Sequence, residues 1–147
     1  MENRAFSFLV GVVYLSLGIC GVIPSLRGPS SFWSDTPPVS LGYGFLFGIF
    51  PVNAVSILVF ILIGLSGLAA AARLRTSRTF ERRLFAVSVL FMMMGCLPGA
   101  SRVWGLMPLF GWTDGLFTMT ALLSFYFAFV DGPWPAFLNE PVVRHHH

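Results

Sequence analysis

Long runs of apolar residues limit what this chain can fold into more than any other feature of its sequence. Several runs approach the ~20 apolar residues that a helix needs to cross the hydrocarbon core of a bilayer. Charged residues make up only 10% of the chain, whereas a soluble domain carries about 25%. The runs lack the alternation of a membrane barrel, which favours helices over strands. They cover residues 5–23, 51–72, 84–97 and 114–130.

The sequence therefore predicts an all-α integral membrane protein with four transmembrane helices, arranged as two tandem helical hairpins. Residues 1–144 form a single membrane domain in this interpretation, and residues 145–147 are three histidines that resemble part of a purification tag. The first run is longer than the about 7 to 15 apolar residues of a signal peptide, and no small-x-small cleavage site follows it. We therefore expect it to be retained as the first helix.

A cluster of arginines occupies the middle of the chain, and the sequence contains no lysine. We interpret residues 72–83 as a short cytoplasmic loop between the hairpins, because arginines beside the membrane mark the cytoplasmic side. Seven arginines fall on that side and two on the other, so both termini are predicted to be cytoplasmic. So local a cluster, without interleaved exposed aromatic residues, does not indicate nucleic-acid binding. The topogenic arginines of the loop are Arg73, Arg75, Arg78, Arg82 and Arg83.

The third helix is too short if it consists of its apolar run alone. Residues 84–97 span about 21 Å at 1.5 Å per residue, against a hydrocarbon core of about 30 Å. Two alternatives remain open from the sequence. Either the helix starts earlier, near Phe80, with the side chains of Arg82 and Arg83 reaching the membrane surface, or it continues with a kink beyond Pro98.

Two outer segments rich in Gly, Pro and aromatic residues connect the helices within each hairpin. Residues 41–49 are predicted to form a short interfacial or re-entrant helix, followed by helix two from about Pro51; the second segment covers residues 99–114. Gly and Pro free backbone groups that lipid cannot satisfy, so we expect both segments to be shielded and to face each other as a cap. Ligand or partner contacts are expected there, at Asn53, Trp104, Trp112 and Asp114.

The two halves of the chain share a pattern, which predicts an internal repeat of the same orientation. In each half a helix ends at a Gly-x-x-Pro step, an outer segment follows, and a second Gly-x-x-Pro step precedes the returning helix. Because each unit crosses and returns, the axis relating the repeats would lie along the membrane normal. The steps lie at residues 21–24, 48–51, 95–98 and 105–108.

Three stretches of the sequence, 11–18, 48–53 and 105–109, are similar to a bacterial family of four-helix membrane proteins of unknown function, DUF4383-like, and the resemblance runs from about residue 8 to residue 129. It implies a bacterial inner membrane, cytoplasmic or internal. The family usually carries histidines in helices two and four, and this chain departs from it there, which removes ligation of a metal, haem or pigment through those histidines. The corresponding positions are Ser56, Phe60 and Phe117.

Few residues suggest chemistry, and we predict no enzyme, no metal site and no required cofactor. Asp114 reads as an acid at a helix N-terminus, where the helix dipole favours it, and Asn53 as a residue that satisfies backbone groups before helix two. Met92, Met93 and Met94 point in different directions on a helix and read as packing. Two cysteines, Cys20 and Cys96, are expected to be buried free thiols, with a disulfide as the alternative.

Three functions compete at this stage. The first is an accessory or structural subunit that associates with a larger membrane complex or with itself, suggested by the small-residue face at Gly64, Gly67 and Ala71. The second is a binder or carrier of a lipid, quinone or pigment under the outer segments. The third is a transporter, which needs a polar path that four such apolar helices barely supply.

Overall fold

The computed structural model describes residues 2–29, 43–97 and 107–130. Within these residues the chain forms four α-helices and one three-stranded antiparallel sheet. The helices are α1 (Glu2–Val22), α2 (Ala54–Ala71), α3 (Leu74–Cys96) and α4 (Trp112–Phe125), and a π-helical segment, Tyr126–Val130, continues α4. The strands are β1 (Arg27–Gly28), β2 (Gly44–Leu46) and β3 (Phe50–Val52), in the order β1-β2-β3.

Three of the helices are long and apolar enough to cross a membrane. They cover Asn3–Val22, Ala54–Ala71 and Trp112–Val130, and much of each helix surface stays exposed in the folded chain. Apolar side chains on a helix surface of this length belong in lipid, because water would not solvate them. The chain is therefore a mostly helical protein of the membrane type, as its composition predicts.

The arginine-rich stretch is not a loop, and this prediction from the sequence was wrong. Helix α2 ends at Ala71 and α3 begins at Leu74, so only Ala72 and Arg73 connect them. The stretch contains neither Gly nor Pro, and arginine is a good helix former, so nothing interrupts the helix. Arg73 is the N-cap residue of α3. The other four arginines lie within α3: Arg75, Arg78, Arg82 and Arg83.

Helix three consequently starts before Phe80, as the first of the two alternatives proposes. It has 23 residues and ends at Cys96, and the residues beyond Leu97 up to 106 lie outside the described part of the chain. Its first half carries the arginines and Glu81, while residues 84–96 are apolar. This division explains why α3 is not among the three most apolar helices.

The first outer segment is a β-hairpin, so the prediction of a short helix after residue 41 was also wrong. Strands β2 and β3 pair with Leu46 opposite Phe50, and β1 adds Arg27 opposite Leu46 on the other edge. The turn between β2 and β3 has positive φ at Phe47 (55°) and Gly48 (76°), which is the φ signature of a type I′ turn. A helix cannot pass through two such residues.

Helix α2 therefore begins three residues later than predicted, and Pro51 belongs to β3. Proline is tolerated there because β3 is an edge strand of the sheet, where not every backbone N–H has to donate to a neighbouring strand. Asn53 then ends the strand and caps the helix. The second outer segment is described only from Met107 onward.

Glycines allow α1 and α2 to pack at close range. A Cβ atom at Gly64 would lie 2.5 Å from the backbone nitrogen of Leu15, and one at Gly67 would lie 2.9 Å from the Cα of Gly11. This confirms the predicted packing role of Gly64 and Gly67 in α2. Gly11 and Gly18 of α1 also lie at this contact, because a Cβ atom on either residue would meet the backbone of α2. The sequence analysis did not predict this packing role for them.

Aromatic rings fill the centre of the bundle. Tyr14, Phe60 and Phe117 are at most 1% exposed, and their ring centroids lie 5.7 to 6.2 Å apart. Phe91 of α3 adds a ring 4.9 Å from that of Phe117. Each of the four helices thus contributes one ring to this central aromatic cluster, which holds the helices together.

Candidate functional site

The two outer segments touch each other at one end of the bundle. The hydroxyl of Thr113, in the first turn of α4, donates a hydrogen bond to the backbone carbonyl of Pro51 at 3.2 Å. The rings of Phe45, in β2, and Phe110, just before α4, meet edge to face at 6.5 Å. Pro51 is less than 2% exposed, so no lipid separates the segments at this contact.

The side-chain oxygen of Asn53 caps the N-terminus of helix α2. Its Oδ1 accepts a hydrogen bond from the backbone N–H of Ser56 at 2.9 Å, and the Ser56 hydroxyl oxygen accepts from the backbone N–H of Asn53 at 2.7 Å. This reciprocal pair is a capping box, which satisfies backbone donors at the start of α2. The predicted role of Asn53 in satisfying the backbone is confirmed, and the side chain is only 2% exposed.

The other predicted contact residues have different surroundings. Trp112 is 58% exposed and points away from the core. Asp114 lies in the first turn of α4, where the helix dipole favours an acid, and its carboxylate packs against Gly95 of α3. Its Oδ1 finds no hydrogen-bond partner among the described residues, so it does not act as a cap there. Trp104 lies outside the described part of the chain.

A buried polar cluster at the opposite end of the bundle was not found from the sequence. Glu81 of α3 is 0% exposed, and its Oε2 accepts a hydrogen bond from the Asn3 amide at 2.8 Å. The hydroxyl of Ser7 donates to Oε1 at 3.4 Å. The Asn3 amide also donates to the carbonyl of Phe127 at 2.9 Å. We call Asn3, Ser7 and Glu81 the polar cluster, and its hydrogen bonds tie α1 to α3 and to the segment that continues α4.

The signal for Glu81 was present in the sequence. Ser77, Glu81, Leu84 and Ser88 recur at the spacing of one helix face, and all four are buried. Because the stretch was interpreted as a loop, the sequence analysis did not predict a buried helix face there. On this helix Arg82 and Arg83 lie on a different face from Glu81, and both are exposed.

The arginines at this end have distinct surroundings. Arg4 donates from Nε to the carbonyl of Ala71 at 2.8 Å, which places a positive charge at the C-terminus of α2, where the helix dipole favours it. Arg82 lies over the ring of Phe129 at 6.0 Å. Arg83 lines a groove between α2 and α3. The basic end is therefore a structured surface in which each of these side chains has a separate contact.

The groove between α2 and α3 has a volume of about 330 Å³ and opens at the side of the bundle. Its walls are apolar toward the middle of the helices, at Leu62 and Val87, and polar toward the basic end, at Thr76 and Arg83. This volume is at the lower end of the range for small-molecule pockets, about 300 to 1,000 Å³. No sequence pattern predicted the groove, because its shape depends on how α2 and α3 pack against each other.

The remaining predictions of chemistry are resolved in part. Cys20 and Cys96 are both free; Cys96 is exposed rather than buried, because it is the last residue of α3. Met93 is 56% exposed while Met94 packs against the core, so the methionines do point in different directions. Among the described residues, no group of three or more His, Cys, Asp or Glu side chains could hold a metal ion.

The positions where relatives would carry histidine have a packing role in this chain. Phe60 and Phe117 belong to the central aromatic cluster, and Ser56 lies one turn before Phe60 as part of the capping box. The model of a family described as "Domain of unknown function (DUF4383)" matches residues 4–130, so the chain belongs to that family. No curated protein and no solved structure matches the chain.

Proposed function

We propose that this member of the DUF4383 family is a four-span membrane protein built from two tandem hairpins, which serves as an accessory or structural subunit of a larger membrane complex. The observation that carries the proposal is the central aromatic cluster. Buried rings from α1, α2 and α4 and a partly buried ring from α3 occupy the place where a transport path or a central cofactor would lie. The outer surface of the protein is therefore the part available for contacts, and it suits lateral association with other membrane helices.

The proposal includes α3 as the fourth span. Its apolar part, residues 84–96, covers about 20 Å at 1.5 Å per residue. Long arginine side chains can extend the span by reaching the headgroups from within the helix, and Arg82 and Arg83 are exposed at the right place. Glu81 does not meet lipid, because it is fully buried and hydrogen-bonded within the bundle.

The burial pattern supports the tandem repeat. Adding 74 to a residue number in α1 gives its equivalent in α3, since this offset aligns Gly21 with Gly95 and Pro24 with Pro98. Four buried positions of α1 then coincide with four buried positions of α3. The pairs are Asn3 and Ser77, Ser7 and Glu81, Val10 and Leu84, and Tyr14 and Ser88.

Hydrogen bonds between the hairpins follow the same relation. The offset between α2 and α4 is 57, which aligns Pro51 with Pro108 and Ala70 with Phe127. Ser77 donates to the carbonyl of Ala70 at 3.0 Å, and its equivalent, Asn3, donates to the carbonyl of Phe127 at 2.9 Å. One contact is therefore made twice with different donors, as expected for a duplicated unit with a twofold axis along the bundle.

Contacts inside the hairpins also repeat. A Cβ at Gly21 would meet Ile57, and one at Gly95 would meet Asp114; Ile57 and Asp114 are equivalent under the offset of 57. Phe60 and Phe117 are likewise equivalent, and their rings meet at 6.2 Å. Equivalent residues that touch each other lie on a twofold axis, so this pair marks where we propose the axis to run.

Site-specific photo-crosslinking in the native membrane tests the proposed association. A photoreactive amino acid replaces one exposed apolar residue on each helix, at Leu9, Leu62, Leu90 or Leu122, which are 55% to 69% exposed in the folded chain. We expect a discrete protein adduct from one or two neighbouring helices, because a partner covers one side of the bundle. The four positions serve as controls for one another.

Two results would separate the remaining possibilities. An adduct with the mass of a second copy would identify a homo-oligomer as the partner. Adducts with lipid alone from all four positions, together with a single chain after purification in a mild detergent, would contradict the accessory function.

Binding of a hydrophobic small molecule is the second candidate function, and the groove between α2 and α3 is the observation that favours it. Transport receives less support, because most buried polar side chains on the described helices bond to one another or to backbone carbonyls in separate pairs. The buried hydroxyls of Ser88 and Ser124 are the exceptions, and each lacks a hydrogen-bond partner among the described residues. Mass spectrometry of the protein purified in mild detergent would test small-molecule binding through a stoichiometric bound compound.

A further inference from the structure

The groove between α2 and α3 is present in one half of the molecule and filled in the other. Under the offsets of the repeat, Ser66, Ala69 and Ala70 of α2 correspond to Leu123, Tyr126 and Phe127 at the end of α4. Phe127 stacks on Phe6 at 4.5 Å and so closes the space between α4 and α1. The small residues of α2 leave the corresponding space open, and the difference creates the cavity of about 330 Å³.

The groove runs lengthwise along the two helices. On α3 it is lined at Thr76, Thr79, Arg83 and Val87, which share one helix face at spacings of three or four residues. The distance from Thr76 to Val87 is about 16 Å along the helix. The groove is thus long, narrow and open at the side, which is the shape of an acyl chain rather than that of a compact ligand.

The polarity of the lining changes along this length. Toward the middle of the helices the walls are aliphatic, at Leu62, Ile63 and Leu84. Toward the basic end they carry the exposed hydroxyl of Thr76 and the exposed guanidinium of Arg83. The nearest acid in the sequence, Glu81, is buried and accepts hydrogen bonds from α1, so it does not present negative charge to the groove.

We propose that this groove binds one anionic phospholipid, with the phosphate at Arg83 and Thr76 and one acyl chain along Leu62, Ile63 and Leu84. Arginine recognises phosphate with two parallel hydrogen bonds, and basic pockets between membrane helices are suited to anionic lipid headgroups. The apolar length of the groove selects a lipid over free phosphate. The proposal rests on the membrane placement stated above, with the arginine end of α3 at the membrane surface.

The test is a lipid titration of the full chain in mild detergent, followed by native mass spectrometry. The probe is dioleoylphosphatidylglycerol, and dioleoylphosphatidylcholine is the zwitterionic comparison. We expect one molecule of the anionic lipid to bind, and Arg83→Gln to weaken its binding about fivefold, as expected for one arginine near the surface. Arg82→Gln is the matched control, because Arg82 is the next residue on α3 and lies over Phe129 instead of lining the groove.

A second variant tests the groove without touching its charge. The double substitution Ser66→Leu and Ala69→Tyr copies the residues of the other half, and both positions are exposed, so the fold should tolerate them. We expect it to expel the lipid while leaving the helix content by circular dichroism unchanged. Retention of the lipid by this variant, or equal losses in Arg82→Gln and Arg83→Gln, would overturn the proposal.

A labelling control separates failure of the lipid site from failure of the membrane placement. Ala72→Cys, in the exposed connection before α3, should react with a membrane-impermeant reagent at the vesicle surface. If Ala72→Cys reacts but the titration does not distinguish Arg83→Gln from Arg82→Gln, the lipid site alone is wrong. If Ala72→Cys is protected by the bilayer, the membrane placement is wrong as well.

Discussion

Tyr14 shows how a single side chain joins α1 to α4 inside the protein. Its hydroxyl lies 2.8 Å from Oγ1 of Thr120, and the Thr120 hydroxyl also donates to the carbonyl of Leu116 at 2.8 Å. Since the threonine proton is used in that second bond, Tyr14 is the donor and Thr120 the acceptor. The ring of Tyr14 packs against Phe60 and Phe117 at the same time, so its apolar and polar parts both find partners.

Tyr14→Phe should destabilise the protein by about 0.6 kcal/mol, and by at most about 1.7 kcal/mol, because it removes one interhelical hydrogen bond and keeps the ring. The measurement is the free energy of unfolding in mixed micelles of mild and denaturing detergent. Tyr126→Phe is the control, because Tyr126 is 48% exposed. A loss of the same size in Tyr126→Phe would contradict the role assigned to the buried hydroxyl.

At the scale of the elements, α1 and α2 approach each other closely enough for their backbones to be in contact. Gly64 and Gly67 lie against the backbone of α1 near Leu15 and Gly11. Between membrane helices the hydrophobic effect contributes little, so van der Waals contact between closely packed backbones is a main source of stability. The two glycines therefore act through their lack of a Cβ atom.

Gly64→Ala should lower the free energy of unfolding by about 1 to 3 kcal/mol, the usual range for overpacking. The added Cβ would lie 2.5 Å from the backbone nitrogen of Leu15, which cannot move without shifting α1. Gly115→Ala is the matched control on α4, because a Cβ there meets no atom within 4 Å. It should be neutral or stabilise the protein by up to about 1 kcal/mol. Equal effects of both substitutions would contradict close packing at Gly64.

At the scale of the whole molecule, the two ends of the bundle differ in chemistry. One end carries the sheet and the contact between Pro51 and Thr113. The other carries the exposed Arg82 and Arg83 of α3 and the polar cluster of Asn3, Ser7 and Glu81. An excess of arginine on one side sets the orientation of membrane proteins, so we expect the arginine end to be cytoplasmic.

In a background free of cysteine, Ala72→Cys should be labelled only from the cytoplasmic side, and Phe47→Cys only from the opposite side. Ala72 is exposed in the connection between α2 and α3, and Phe47 is 57% exposed at the tip of the hairpin. Ser77, although central in the arginine stretch, is fully buried and unsuitable as a probe. Accessibility of both cysteines from the same side, or the reverse pattern, would refute the predicted orientation.

The apolar runs by themselves determined the class of protein and the approximate extents of α1, α2 and α4, but not the start of α3. A helix that crosses lipid must be apolar over most of its length, and such runs are visible without any knowledge of tertiary contacts. The same holds for Gly64 and Gly67, because small residues at helical spacing indicate close packing wherever the partner lies. The sequence also pointed to Asn53 as a residue that satisfies the backbone before α2.

Only the tertiary structure decided the features that depend on a partner. The hairpin at residues 44–52 forms against β1 and the start of α4, whereas local sequence suggested a short helix. From the sequence, Glu81 is one more charged residue in a predicted loop. In the structure it accepts hydrogen bonds from Asn3 and Ser7 of α1. The groove depends on how α3 lies against Ser66, Ala69 and Ala70, the small residues of α2 that line it. In each case the deciding atoms lie far away in the sequence, so local pattern and propensity could not specify them.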